Sequence, residues 1–110
     1  MEHIMFVEKL KKKNRDDYIR IHKEACREFL KAINDAGIKR EIAWLYDDHV
    51  FVYVMAEDFK KSRSILEKEN VFKKWVEITK PFMEEDVINP KNERVTIIEK
   101  IFDVEEQLKE

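Results

Sequence analysis

At 110 residues the chain suits one domain spanning residues 1–110, and its 44% hydrophobic and 11% aromatic content excludes a disordered polymer. Its 22 basic and 24 acidic residues leave a net charge of −2, so no surplus of base argues for a nucleic-acid partner. The 42% charged content fits a dense two-sign surface of the sort that builds ion-pair networks at high temperature.

Ile4, Phe6 and Leu10 alternate with Met5, Val7 and Lys9, which predicts a first strand over residues 3–10. Glu2 and His3 interrupt the apolar opening, so it reads as neither a signal peptide nor a membrane span. Lys11, Lys12 and Lys13 are followed by Asp16 and Asp17 and read as a solvated strand-to-helix loop. Asn14 is placed to cap a helix whose first turn carries the two aspartates. From Arg15 to Ala36 there is no Gly or Pro, and the sole glycine, Gly37, follows at once. The pattern predicts one helix of about 22 residues, roughly 33 Å long, stopped by a left-handed glycine.

Residues 38–46 and 49–57 flank Asp47-Asp48 and predict a two-strand hairpin. Asp58 should cap a second helix, with a break or restart at Asn70 and a stop at Pro81. Residues 84–94, with Asn89-Pro90, read as a long surface loop, and 95–102 as the last strand. The tail after it is expected to fray or to add a short helical turn. The order βαββαβ is the ferredoxin-like α+β motif, a four-stranded antiparallel sheet with two helices on one face. Its third strand is nevertheless apolar on both sides: Val50, Val52, Val54 and Ala56 against Phe51, Tyr53 and Met55. Helices on one face leave the other uncovered, and a second copy packing sheet to sheet is the expected cover.

Chemistry-bearing residues are few. Tyr18 and His22 stand four apart on the first helix, on the stripe continued by Ala25, Phe29 and Ile33. They fit either a hydrogen-bonded structural pair or a proton-exchanging site, since His titrates nearest neutrality. Glu41 shares a strand face with Lys39, Ala43 and Leu45, as an exposed edge residue or a site carboxylate. Trp75 lies in an apolar helical stripe with Phe72, Val76 and Thr79, as core or as a ligand wall. Trp44 and Tyr46 fall on the opposite side of their strand from Glu41 and read as packing residues. His3, His22 and His49 have no metal-ligand spacing, and Cys26, the single cysteine, offers neither a disulfide nor a cysteine metal site. No phosphate loop is present, and no apolar run approaches the ~20 residues of a span. No cofactor, metal, nucleic acid or membrane is expected, and the cytoplasm is the expected compartment.

The ordered motifs resemble the L-rhamnose mutarotases. They are Phe6-Val7, Asp17-Tyr18-x-x-x-His22, Glu28, the passage from Gly37 to Leu45, Lys74-Trp75, Asn89-Pro90 and Ile101-Phe102. The resemblance covers residues 4–102, and its specificity lies in order and spacing. It implies a homodimeric α+β barrel that interconverts the α and β anomers of L-rhamnose or a related deoxyhexose. It also implies His22 as proton donor, with Tyr18 and Trp75 as sugar contacts. Two positions depart from the family pattern: Glu41 stands where a sugar-contacting tyrosine is usual, and Val76 where a second tryptophan is usual. Glu41 then offers itself as the acceptor of the anomeric proton. The same dimeric fold also hosts small haem- or quinol-handling monooxygenases, and a non-catalytic module that only binds a small ligand is the third reading.

Overall fold

The computed structural model describes residues 1–84 and 96–110. Strand β1 spans Glu2–Leu10 and passes through a 3-10 turn (Lys12–Asn14) into helix α1, Arg15–Lys23. Helix α2 covers Arg27–Asp35, and the hairpin follows as β2, Ile38–Tyr46, and β3, His49–Ala56. Helices α3, Phe59–Glu67, and α4, Asn70–Thr79, come next, with a 3-10 turn at Lys80–Phe82. Strand β4, Met83–Glu84, strand β5, Thr96–Ile98, and helix α5, Val104–Leu108, complete the described elements.

The sheet is antiparallel in the order β2-β3-β1, with β4 and β5 sharing the far edge of β1. β4 pairs Lys9 and Leu10, while β5 pairs Met5 to Val7, so two short segments occupy the place of the expected fourth strand. This is the ferredoxin-like α+β fold. Ile4, Phe6, Glu8 and Leu10 share a face with Val50, Val52 and Val54, because a strand's side chains alternate with period two. On that face the four core helices pack around Phe6, Leu10, Val50, Val54, Phe29 and Leu66.

The expected 22-residue helix is broken. Glu24 ends α1 and Cys26 adopts extended backbone (φ −69°, ψ 150°) before α2 begins. No Gly or Pro marks the break; it lets each nine-residue segment lay its own buried residue, Tyr18 or Phe29, against the sheet. Asn14 occupies the position before α1, but its side chain makes no capping bond. Asp58 does cap α3, accepting from the Lys61 N–H at 3.1 Å, and the helix restarts at Asn70 as expected. The last strand is shorter than residues 95–102: Glu99 to Phe102 are not in strand, and Val95 lies outside the described residues. Glu84 belongs to β4 rather than to the expected loop, whose remaining residues 85–94 also lie outside them.

Gly37 has φ +103°, and a Cβ added there would stand 2.8 Å from the buried Ser62 Oγ. Both the backbone and the space demand glycine. Gly37→Ala is therefore expected to cost about 1–3 kcal/mol, read as a lower urea midpoint at unchanged slope.

Candidate functional site

The α1–α2 break and the open edge of the sheet create the main concavity. Beyond β3, the middle of β2 is left open on its helix side, so Glu41 and Ala43 stay accessible to water. A cleft of about 580 Å³ opens there, between β2 and the helices. Ala25, Phe29, Ile33, Leu45 and Val50 give it apolar walls, while Tyr18, His22 and Glu41 supply reactive groups. Lys23, Lys39 and Arg40 stand on its rim. A smaller cavity of about 90 Å³ continues inward, sharing Tyr18, His22, Glu41 and Trp75 and adding Glu8, Arg63, Val76 and Thr79.

The helical i,i+4 spacing places the Tyr18 and His22 rings 4.2 Å apart, centre to centre. His22 Nδ1 lies 2.8 Å from the Tyr18 carbonyl oxygen. A carbonyl only accepts, so Nδ1 carries a hydrogen and Nε2 is the nitrogen whose proton can exchange. Burial pushes the imidazole below its ordinary value of 6.5, and the bond to the Tyr18 carbonyl partly restores it. The Tyr18 hydroxyl donates to Glu8 Oε2 at 3.3 Å.

Trp75 closes this aromatic group. Its ring meets His22 edge to face at 4.9 Å, and Phe29 stacks on it at 4.3 Å with planes 15° apart. Phe29 thus backs one indole face, so a ligand can meet only the other face or the edge. Thr79 Oγ1 donates to the Trp75 carbonyl at 3.0 Å, bonding the turn of α4 that carries the indole.

Glu41 approaches the same space from β2, where it pairs with Val54 on the helix side of the sheet. Ile42, Trp44 and Tyr46 lie on the reverse, as expected, although Trp44 and Tyr46 are exposed in the single chain. Protein crowds the Glu41 carboxyl despite its access to water. Burial raises it above its ordinary 4.5, the Arg63 guanidinium opposes that rise, and Glu8 adds to it.

The fold therefore brings Tyr18, His22, Glu41 and Trp75 to one cleft, with Val76 on the inner cavity. Two charged cavity residues, Glu8 and Arg63, escape the sequence reading. Glu8 had a signal, because it keeps the phase of core residues Phe6 and Leu10 and so puts a carboxylate on the inward face of β1. Arg63 had none, since its place depends on how α3 packs against α4 and β3.

Among the described residues no group of three or more His, Cys, Asp or Glu side chains is arranged to hold a metal ion. Among those residues, too, no helix is long and apolar enough to cross a membrane.

Comparison with known proteins gives one family: that described as L-rhamnose mutarotase matches residues 3–104. No curated protein sequence matches. Among solved structures, an L-rhamnose mutarotase from Formosa agariphila superposes with a TM-score of 0.74 at 20% identity, covering 94% of this chain and 98% of its own. The tetracenomycin F2 cyclase of Streptomyces glaucescens gives 0.67 at 9% identity, over 94% and 98%. An antibiotic biosynthesis monooxygenase gives 0.62 at 10% identity, over 92% and 99%. At such identities the structures share a fold, which serves several chemistries.

Proposed function

The chain belongs to the L-rhamnose mutarotase family, and from that premise we propose that it is an isomerase acting on the anomeric carbon of L-rhamnose or a related deoxyhexose. The observation that carries the reading is the meeting of His22 and Glu41 on one cleft that Trp75 also walls. Mutarotation needs a proton delivered to the ring oxygen and another removed from the anomeric hydroxyl. His22, protonated at Nε2, gives its proton to the ring oxygen as the C1–O5 bond breaks. The Glu41 carboxylate takes the O1 proton, and an open-chain aldehyde results. Rotation about C1–C2 presents the other carbonyl face. On closure O5 attacks C1 and returns its proton to His22, while Glu41 returns its own to O1, so both groups end as they began.

The two proton affinities suit these roles. Lowering the affinity of His22 makes its imidazolium a sharper acid, and raising that of Glu41 makes its carboxylate a stronger base. Tyr18 and Trp75 are the sugar contacts in this reading, and Val76 adds a small apolar wall in place of an indole. The protein works as a homodimer through the sheet face that the helices leave bare.

The test is saturation-transfer NMR of anomer exchange on L-rhamnose, L-fucose and several unrelated aldoses. Faster exchange on deoxyhexoses is the expected result; no acceleration on any sugar by folded protein would sink the proposal. The pH dependence follows from the same geometry. Activity requires one proton on the pair, so it falls where both groups are protonated and again where both are bare. Burial moves Glu41 up and His22 down, so the two limbs approach each other and the bell is expected to be narrower than that of a solvent-exposed Glu–His pair. Glu41→Gln should lower kcat about 10²–10⁴-fold and abolish the acid limb of that profile. Unchanged turnover in this variant would remove Glu41 from the mechanism.

A further inference from the structure

The inner cavity holds two carboxylates, Glu8 and Glu41, and among the described residues that line it Arg63 is the only Lys or Arg. The Arg63 side chain is seated from two helices. Its Nε donates to Glu67 Oε1 at 3.1 Å, one turn further along α3. Its Cζ lies 5.2 Å from the centre of the Phe72 ring on α4, within cation–π range. With Nε committed to Glu67, anything Arg63 donates toward the cavity comes from its Nη groups.

We propose that Arg63 is a positioning residue for this reaction, supplying the counter-charge against which the Glu41 carboxylate works as proton acceptor. The inference rests on the mutarotase reading for the step it serves, but not for the placement of charge. The groups facing Glu41 are few. Glu8 comes from β1, Tyr18, His22 and Lys23 from α1, Lys39 and Arg40 from its own strand, and Arg63 from α3. Helix α4 contributes Trp75, Val76 and Thr79 to the cavity, none of which carries charge. Lys23, Lys39 and Arg40 are exposed on the rim, where water and salt screen them. Arg63 is only 30% exposed by side chain and acts across the interior, where screening is weak. Of the charged neighbours it is the strongest influence on Glu41, opposing both burial and Glu8. Arg63 therefore keeps a crowded carboxylate ionised close to the pH at which it must accept a proton.

The experiment is a carbon-detected NMR titration of the glutamate carboxyls, with Glu41 assigned by the signal missing from Glu41→Gln. It is run on the wild type, Arg63→Gln and Arg63→Lys, beside the pH profile of anomer exchange. Arg63→Gln should raise the Glu41 midpoint by about one pH unit or more and carry the acid limb upward by the same amount. Arg63→Lys retains the charge without the planar fork, so it should hold both the midpoint and kcat near the wild type. An unmoved midpoint in folded Arg63→Gln would overturn the inference and leave Arg63 as a clasp between α3 and α4. If that variant does not fold, Arg63→Met takes its place, and an unmoved Glu41 midpoint there overturns the inference instead. A shifted midpoint in a protein that exchanges no sugar would uphold the charge placement and refute the mutarotase reading alone.

Discussion

Replacing His22 with Ala is expected to slow anomer exchange about 10²–10⁴-fold, the usual worth of one positioned proton-transfer group, while leaving the fold intact. The ring is half-buried, and its bonded partner is a backbone carbonyl one turn earlier in its own helix. Its loss orphans no side chain. His22→Gln is the sharper companion, since it keeps a donor near the Tyr18 carbonyl but has no group that titrates near neutrality. Both variants should bind sugar with KM little changed and fail in kcat, because the proton is needed mainly in the transition state. Stability supplies an independent check on the imidazole. The folded state holds His22 below 6.5, so as pH falls from 6.5 through the folded value the unfolded chain binds the extra proton. The wild type should therefore lose stability through that window, and His22→Ala should lose less. Thermal unfolding at a series of pH values would show this; parallel curves would mean that His22 is not desolvated as described. Full exchange activity in His22→Ala would end the donor assignment outright.

Much of this arrangement was legible in the sequence. Alternation gave β1, two strand-like runs flanking Asp47-Asp48 gave the hairpin, Gly37 gave the helix stop and Asp58 the α3 cap, because each of these is a local rule. The i,i+4 step from Tyr18 to His22 likewise foretold two rings on one face. The break at residues 24–26 was not legible, since no Gly or Pro marks it and local helix propensity there yields to packing on the sheet. Strand β5 is shorter than its apolar pattern, with Ile101 and Phe102 left exposed outside it. Arg63 reaches the cavity only through α3–α4 packing, a contact between elements that no periodicity encodes. Glu8 was the avoidable omission: a carboxylate in phase with Phe6 and Leu10 is as conspicuous on paper as Glu41 beside Ala43.

Phe51→Arg is expected to turn a dimer into monomers. The sheet face opposite the helices carries two cross-strand rows that the register fixes. Trp44, Phe51 and Val7 form one, and Ile42, Tyr53, Met5 and Ile98 the other. Trp44 is 53% and Ile98 44% exposed in the single chain, an apolar display that soluble monomers rarely keep. Self-association through a two-fold axis would hide both rows at once and give each protomer an interface of ordinary size, about 800 Å². Phe51 sits in the middle of the first row, so an arginine there meets this apolar surface and brings a like charge from the partner. The penalty is several kcal/mol, equivalent to at least a hundredfold weaker association. Sedimentation at tens of micromolar should show wild type at dimer mass and Phe51→Arg at monomer mass, with the same far-ultraviolet circular dichroism. Wild type running as a monomer would refute the interface. Glu41 faces the cleft from the helix side of β2 with Ala43 and Leu45, and Trp44 is the one member of the two rows that also lines it. Anomer exchange by the monomeric variant should accordingly persist per protomer, and its disappearance would mean that the second copy also shapes the cleft through the strand they share.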